Sequence, residues 1–245
     1  MSKTTEYRDR LRGLVDWDNY LLAESGLPGP HGNIELAQVV ADEGDLALFQ
    51  KYTAYTAALA PVNSPYEFLA FCGVIGLGRL LAEGQTEFIP ILRSHASDPR
   101  WRVREGVAMA LQRWGDRNMD ALIRALQEWS QGTPLEQRAA AAALCEPRLL
   151  RQPEQANEVL QILDAITASL ESLPDRRSPD FLALKKGLGY CWSVAVTALP
   201  AHGKALMEKW IASPDKDIQW IMRENLKKNR LARLYPERAR IWQGK

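Results

Sequence analysis

Cysteine is scarce and scattered. Cys72, Cys145 and Cys191 are the only three in 245 residues, and none stands in a paired motif. Neither a secreted disulfide framework nor a cysteine-built zinc cluster is expected from that pattern. Histidine is as rare: His31, His95 and His202 fall in or near expected turns, with no companions at metal-ligand spacing. No metal and no cofactor are expected. No Ser-His-Asp or Cys-His set can be assembled, and there is no phosphate-binding loop. The glycines of Gly73-Val74-Ile75-Gly76-Leu77-Gly78 are wrongly spaced for a dinucleotide fingerprint, and no strand precedes them. The first ten residues are charged and lack the apolar core of a signal peptide. No uninterrupted apolar run approaches the roughly 20 residues of a membrane span. A cytoplasmic location and no membrane partner are expected. Strand patterning is missing as well: apolar residues recur at three and four, not at two.

Proline, by contrast, is placed with order. Pro65, Pro99, Pro134, Pro179 and Pro214 follow Ser64, Asp98, Thr133, Ser178 and Ser213, at intervals of 34, 35, 45 and 35 residues. A Ser, Thr or Asp N-cap with Pro at the first helical position is a strong helix start, because that proline lacks an N–H that would stay unpaired anyway. Glu67 and Glu136 stand three residues after Ser64 and Thr133, the spacing of capping boxes. A helix start repeated at this period marks a helical-repeat solenoid.

The expected elements follow. A first helix is predicted over 4–24, with Leu11, Leu14, Val15, Leu21 and Leu22 as its apolar stripe. Leu27-Pro28-Gly29-Pro30-His31-Gly32 reads as a loop. Helices are predicted over 34–43, 46–59 and 154–173, with turns at Glu83-Gly84, Gln131-Gly132 and His202-Gly203. The helices after the caps align: residues 72–77 fall on 106–111, and 139–144 follow in the next repeat. Small residues there let helices approach, and Cys72 and Cys145 belong to that packing. The architecture expected is all-α: a HEAT-like α-solenoid of armadillo type, about five hairpins over 63–245 behind an N-terminal helical cap at 1–62.

Charge is graded along the chain. Residues 1–92 carry 6 Lys and Arg against 12 Asp and Glu, a net of −6; residues 203–245 carry 11 against 5, a net of +6. A working surface toward the C-terminus is one reading, and a solvated mixed-charge surface is the other. Within that gradient one motif recurs. Asp98-Pro99-Arg100-Trp101-Arg102-Val103-Arg104-Glu105 and Asp217-Ile218-Gln219-Trp220-Ile221-Met222-Arg223-Glu224 both read D-x-x-W-x-x-R-E. Trp and Arg three apart share a helix face, a flat plate beside a fixed cation. Arg138 and Lys186 stand at intermediate positions, and Lys227, Lys228 and Arg230 with Arg233 make a basic helix end able to meet phosphates.

This pattern resembles HEAT repeats, whose second helix opens with Asp-x-x-Val/Trp-x-x-Arg-x-x-Ala; the resemblance covers residues 63–230, about two-thirds of the chain. Among HEAT-like proteins it is similar to the AlkD-type alkylpurine DNA glycosylases, through Ser97-Asp98-Pro99-Arg100-Trp101-Arg102-Val103-Arg104. The resemblance implies that Arg104, with Trp101 beside it, faces a DNA cleft. Residues 66–73 correspond to the stretch where that family keeps its catalytic Asp. They hold no Asp, and their only acid is Glu67.

The leading expectation is therefore a non-catalytic DNA-binding protein related to DNA alkylation repair proteins. Its candidate contacts are Trp101, Arg104, Arg138, Lys186, Trp220, Arg223, Lys227, Lys228 and Arg230, and duplex DNA is its partner. The alternatives are a scaffold holding a protein partner in its concave groove, and an alkylpurine DNA glycosylase. Arg104 and Arg223 either face the groove or pair with Asp98 and Asp217 in a structural ladder.

Overall fold

The computed structural model describes residues 2–243. Those residues form helices and turns and no strand. Contacts divide the chain into two units, residues 1–117 and 118–245. The first holds α1 (Lys3–Arg12), α2 (Asp18–Glu24), α3 (Ile34–Glu43), α4 (Leu46–Thr53), α5 (Pro65–Ala82), a 3-10 turn at Thr86–Phe88, α6 (Ile89–His95) and α7 (Trp101–Gly115). The second holds α8 (Met119–Trp129), α9 (Pro134–Leu144), α10 (Pro153–Ser169), α11 (Pro179–Ala198), α12 (Pro200–Ile211), α13 (Lys216–Leu226), α14 (Asn229–Leu234) and α15 (Pro236–Gln243).

Each unit is built around one long helix. In the first it is α5, packed by α2, α3, α4 and α7; in the second it is α11, packed by α9, α10, α12, α13 and α14. Both begin as their sequences dictate. Pro65 and Pro179 stand at N1, and Ser64 and Ser178 accept from the backbone N–H groups of Glu67 and Phe181. Helix α9 begins the same way at Pro134, with Thr133 and Glu136 exchanging bonds in a complete capping box. Ser64 does not complete one: the Glu67 carboxylate accepts instead from Asn63 N at 2.7 Å.

Two capped starts fall elsewhere. Helix α7 starts at Trp101, because the Asp98 carboxylate folds back onto Arg100 and cannot cap the turn ahead. Helix α13 starts at Lys216 with Asp215 as its cap, and Pro214 lies in the preceding turn. The predicted helix over 4–24 is two helices, since the chain leaves the helix at Gly13 and re-enters at Asp18. Val15, expected in its apolar stripe, is fully exposed in the break. The predicted helix over 46–59 ends at Thr53. His202-Gly203, expected as a turn, lies inside α12. There Gly203 serves packing: a methyl on it would come within 2.7 Å of Val196 Cα.

The small residues of α5 admit its neighbours. The Phe49 ring occupies the place of a Cβ on Gly76, and Ala110 of α7 closes on Gly78. Arg79 then caps the end of α3, donating to Ala41 O and Gly44 O at 2.8 Å each. Helix α5 is long and apolar enough to cross a membrane by length and composition, yet 78% of it is buried in the core. Cys72, Cys145 and Cys191 are all buried, and burial pushes the Cys72 and Cys145 thiols upward.

Candidate nucleic-acid interface

The two copies of D-x-x-W-x-x-R-E adopt different helical registers. In the first, Asp98 lies outside the helix and Trp101 is its first residue. In the second, Asp217 is already in the first turn and Trp220 is the fifth residue of α13. Each acid is taken by a cation other than the motif's own arginine. Arg100, itself buried, binds Asp98 through Nε at 2.9 Å and Nη2 at 2.7 Å. Burial would raise the Asp98 carboxyl, but the bonds from Arg100 and His95 override it and hold Asp98 well below the usual carboxylate range. Asp217 is bound by Lys185 at 2.7 Å and by Arg176 at 3.3 Å.

In the first unit, Arg104 donates to the carbonyls of Asp98 and Pro99 at 2.6 and 3.0 Å, fastening the turn that precedes its own helix. Trp101 is 47% exposed, with Arg102 Cζ 4.6 Å from its ring centre. Arg102 reaches inward from there. Its Nη1 meets Glu67 Oε2 at 3.1 Å and its Nη2 meets Gly29 O at 2.7 Å. Glu67 is wholly buried, and its Oε1 and Arg102 Nε lack hydrogen-bond partners. Asn63 Oδ1 holds the same loop through Gly29 N at 3.1 Å.

The second unit gathers more of the expected residues. A groove of about 610 Å³ is lined by Leu182, Lys185, Lys186, Gly189, Tyr190, Trp220, Glu224 and Lys228. The five residues from α11 recur at three and four and so share one face. Asn225 sets α13 against that face: buried, it accepts from Ser193 N at 2.7 Å and donates to Leu188 O at 2.8 Å. Gly189 makes room for the indole, since a methyl there would stand 3.2 Å from Trp220 Cζ3. Lys185 Nζ then lies 4.7 Å from the Trp220 ring centre. Arg230 donates to the Tyr190 hydroxyl at 2.6 Å and packs 4.9 Å from that ring's centre.

The structure thus brings Lys186, Trp220 and Lys228 together in one groove, with Arg230 at its edge. Arg138, on α9, rests its Cγ 3.3 Å from the position of a Cβ on Gly187, one residue beyond Lys186. Lys227 turns to Glu224 at 2.5 Å, and Arg223 is exposed on α13. Trp101 and Arg104 belong to the other unit. Lys185 and Tyr190 were not among the expected contacts, although their helical spacing from Leu182 and Lys186 was the signal for them. Among the described residues no cluster of three or more His, Cys, Asp or Glu could hold a metal.

No family model matches the chain, and no curated protein matches it. A solved structure does: AlkD2 from Streptococcus mutans, at 18% identity, over 92% of this chain and 98% of that one, with a TM-score of 0.61. The chain shares the fold of AlkD2. At that identity the likeness is one of fold, and it agrees with the helical-repeat solenoid expected from the proline period. An engineered protein also aligns over 96% of this chain, at 14% identity and a TM-score of 0.38.

Proposed function

We propose that the protein binds DNA through the groove of its second unit and does not excise bases. One observation carries this reading: Lys186, Lys228 and Arg230 stand around two partly exposed aromatic rings, beside Lys185, which Asp217 holds, and with Glu224 the one acid in the lining. Cations fixed beside planar rings suit a polyanion that also offers flat surfaces. The fold shared with AlkD2 and the resemblance of residues 97–104 to the AlkD-type segment support a relation to DNA alkylation repair proteins.

The non-catalytic part rests on Glu67. Glycosylases of this resemblance need a carboxylate at the lesion, to stabilise positive charge developing on the sugar as the base departs. Glu67 is the only acid in the corresponding stretch, and it is buried under Asn63 and Arg102.

The test is binding of labelled duplex across a salt series. If about three phosphates are neutralised, log K falls against log salt with a slope of about −2.7. Lys228→Glu and Arg230→Glu weaken binding to all sequences alike, because phosphate contacts carry no sequence information. Single-turnover assays on duplex with methylated purines release no base; release abolished by Glu67→Gln would refute the non-catalytic reading.

The second reading is a protein-binding scaffold. Leu59, Val62 and Tyr66, exposed around the loop before α5 in the first unit, favour it. A folded sample that binds no DNA at low salt would leave that reading standing.

A further inference from the structure

The groove of the second unit is more than a basic patch. Two planar rings line it, and both are held. The Trp220 indole is seated against α11 by the absence of a side chain at Gly189. The Tyr190 ring, 42% exposed, is fixed at its hydroxyl by Arg230. Cations stand at both: Lys185 Nζ 4.7 Å from the Trp220 centre, Arg230 Cζ 4.9 Å and Lys228 Nζ 5.8 Å from the Tyr190 centre. A double helix meets only half of this surface. Its phosphates face outward toward lysines, but its bases are stacked inside and their flat faces are covered. Planar side chains in a groove gain stacking only from a base that has left the stack. A volume of about 610 Å³ is also that of a site for a small ligand, on the scale of one or two nucleotides.

Resting on the DNA-binding reading above, we infer that this groove takes unpaired nucleotides of DNA. Bases stack on Trp220 and Tyr190, while Lys186, Lys228 and Arg230 neutralise the phosphates that join them. Glu224 lies on α13, paired with Lys227, and the backbone runs along Lys186, Lys228 and Arg230. Single strands, and duplexes carrying a short gap, are then the preferred ligands.

The experiment compares three fluorescent DNAs with the full chain at one low salt concentration. They are an oligothymidine of about ten nucleotides, matching a single-strand site, a duplex of equal length, and a duplex interrupted by a few unpaired thymidines. The single strand and the gapped duplex are expected to bind at least about tenfold tighter than the intact duplex. Trp220→Ala and Tyr190→Ala are each expected to weaken single-strand binding about 5- to 150-fold, the measured range for lost base–aromatic stacking, and to weaken it by a larger factor than they weaken intact-duplex binding. Tyr190 is exposed, so its variant tests the idea even where loss of Trp220 disturbs α13. Lys228→Glu is expected to weaken all three.

If the intact duplex binds as tightly as the single strand and both aromatic variants leave every ligand alike, this inference falls and DNA binding stands. If no DNA binds to a sample folded by circular dichroism, the proposed function falls with it. Oligouridine bound tenfold tighter than oligothymidine would overturn the commitment to DNA.

Discussion

Arg102 donates to Glu67 Oε2 at 3.1 Å inside the first unit, and the same oxygen accepts from Asn63 N at 2.7 Å. The sequence assigns Glu67 to a capping box, a role worth about 1 kcal/mol. The structure assigns it to a buried ion pair, and removing one partner of such a pair costs about 3–5 kcal/mol because the other charge is left uncompensated. Urea unfolding of Glu67→Met decides between them: a loss of several kcal/mol is expected. The double variant Glu67→Met with Arg102→Met is expected to be more stable than Glu67→Met alone, since no orphaned charge remains. A loss of 1 kcal/mol or less, by the scale of a cap alone, would return Glu67 to capping.

The pair of Asp98 and Arg100 sets an acid limit. Asp98 is held below its unfolded value of about 3.9, so the native state binds that proton more weakly than the unfolded chain does. Its contribution is complete above that value and is lost as pH falls from about 4 toward the folded pKa. Asp98→Asn removes the contribution. Urea midpoints of wild type and Asp98→Asn should differ most near neutral pH and converge as the solution is acidified. A constant difference down to the acid end would count against the Arg100 bond as its source.

Gly78→Ala sets two effects against each other. In an exposed helix the change would stabilise by about 1 kcal/mol. Here the new methyl would stand 2.4 Å from Ala110 Cα, where backbone and not a flexible side chain must give way. Forcing α5 and α7 apart costs about 1–3 kcal/mol by the scale of overpacked cores, so a net loss is expected. Thermal unfolding checks it, and a raised midpoint would mean that the two helices slide apart easily.

What the sequence made legible was local. Ser64-Pro65, Thr133-Pro134 and Ser178-Pro179 each fix a helix start through bonds within four residues, and all three start where the spacing puts them. Asp98-Pro99 obeys the same local rule and yields to Arg100, a competitor two residues away that is anchored on Ala60 O, 40 residues back. Gly13 and Gly203 show the same ambiguity from two sides. One ends a helix whose apolar stripe continues on paper, and the other sits inside a helix because Val196 packs against it. In the candidate groove, Trp220, Lys186 and Lys228 were legible from motif and charge. Tyr190 and Gly189 were not singled out, because their part depends on where α13 lies, and Asn225 fixes that through bonds to Ser193 and Leu188.

Arg102 holds the carbonyl of Gly29 across 73 residues of chain, and Arg100 holds that of Ala60 across 40. Loops made early in synthesis are therefore fastened by side chains made late. At about 5–20 residues per second, Gly29 emerges about 4–15 s before the arginine that ties it. Until residue 82 has emerged, part-way through that interval, α3 and α4 have no complete α5 to cover the faces around Val40 and Phe49, which are fully buried in the finished unit. The nascent chain carries those apolar faces bare, and chaperone recognition during translation has its natural window there, closing as α5 arrives.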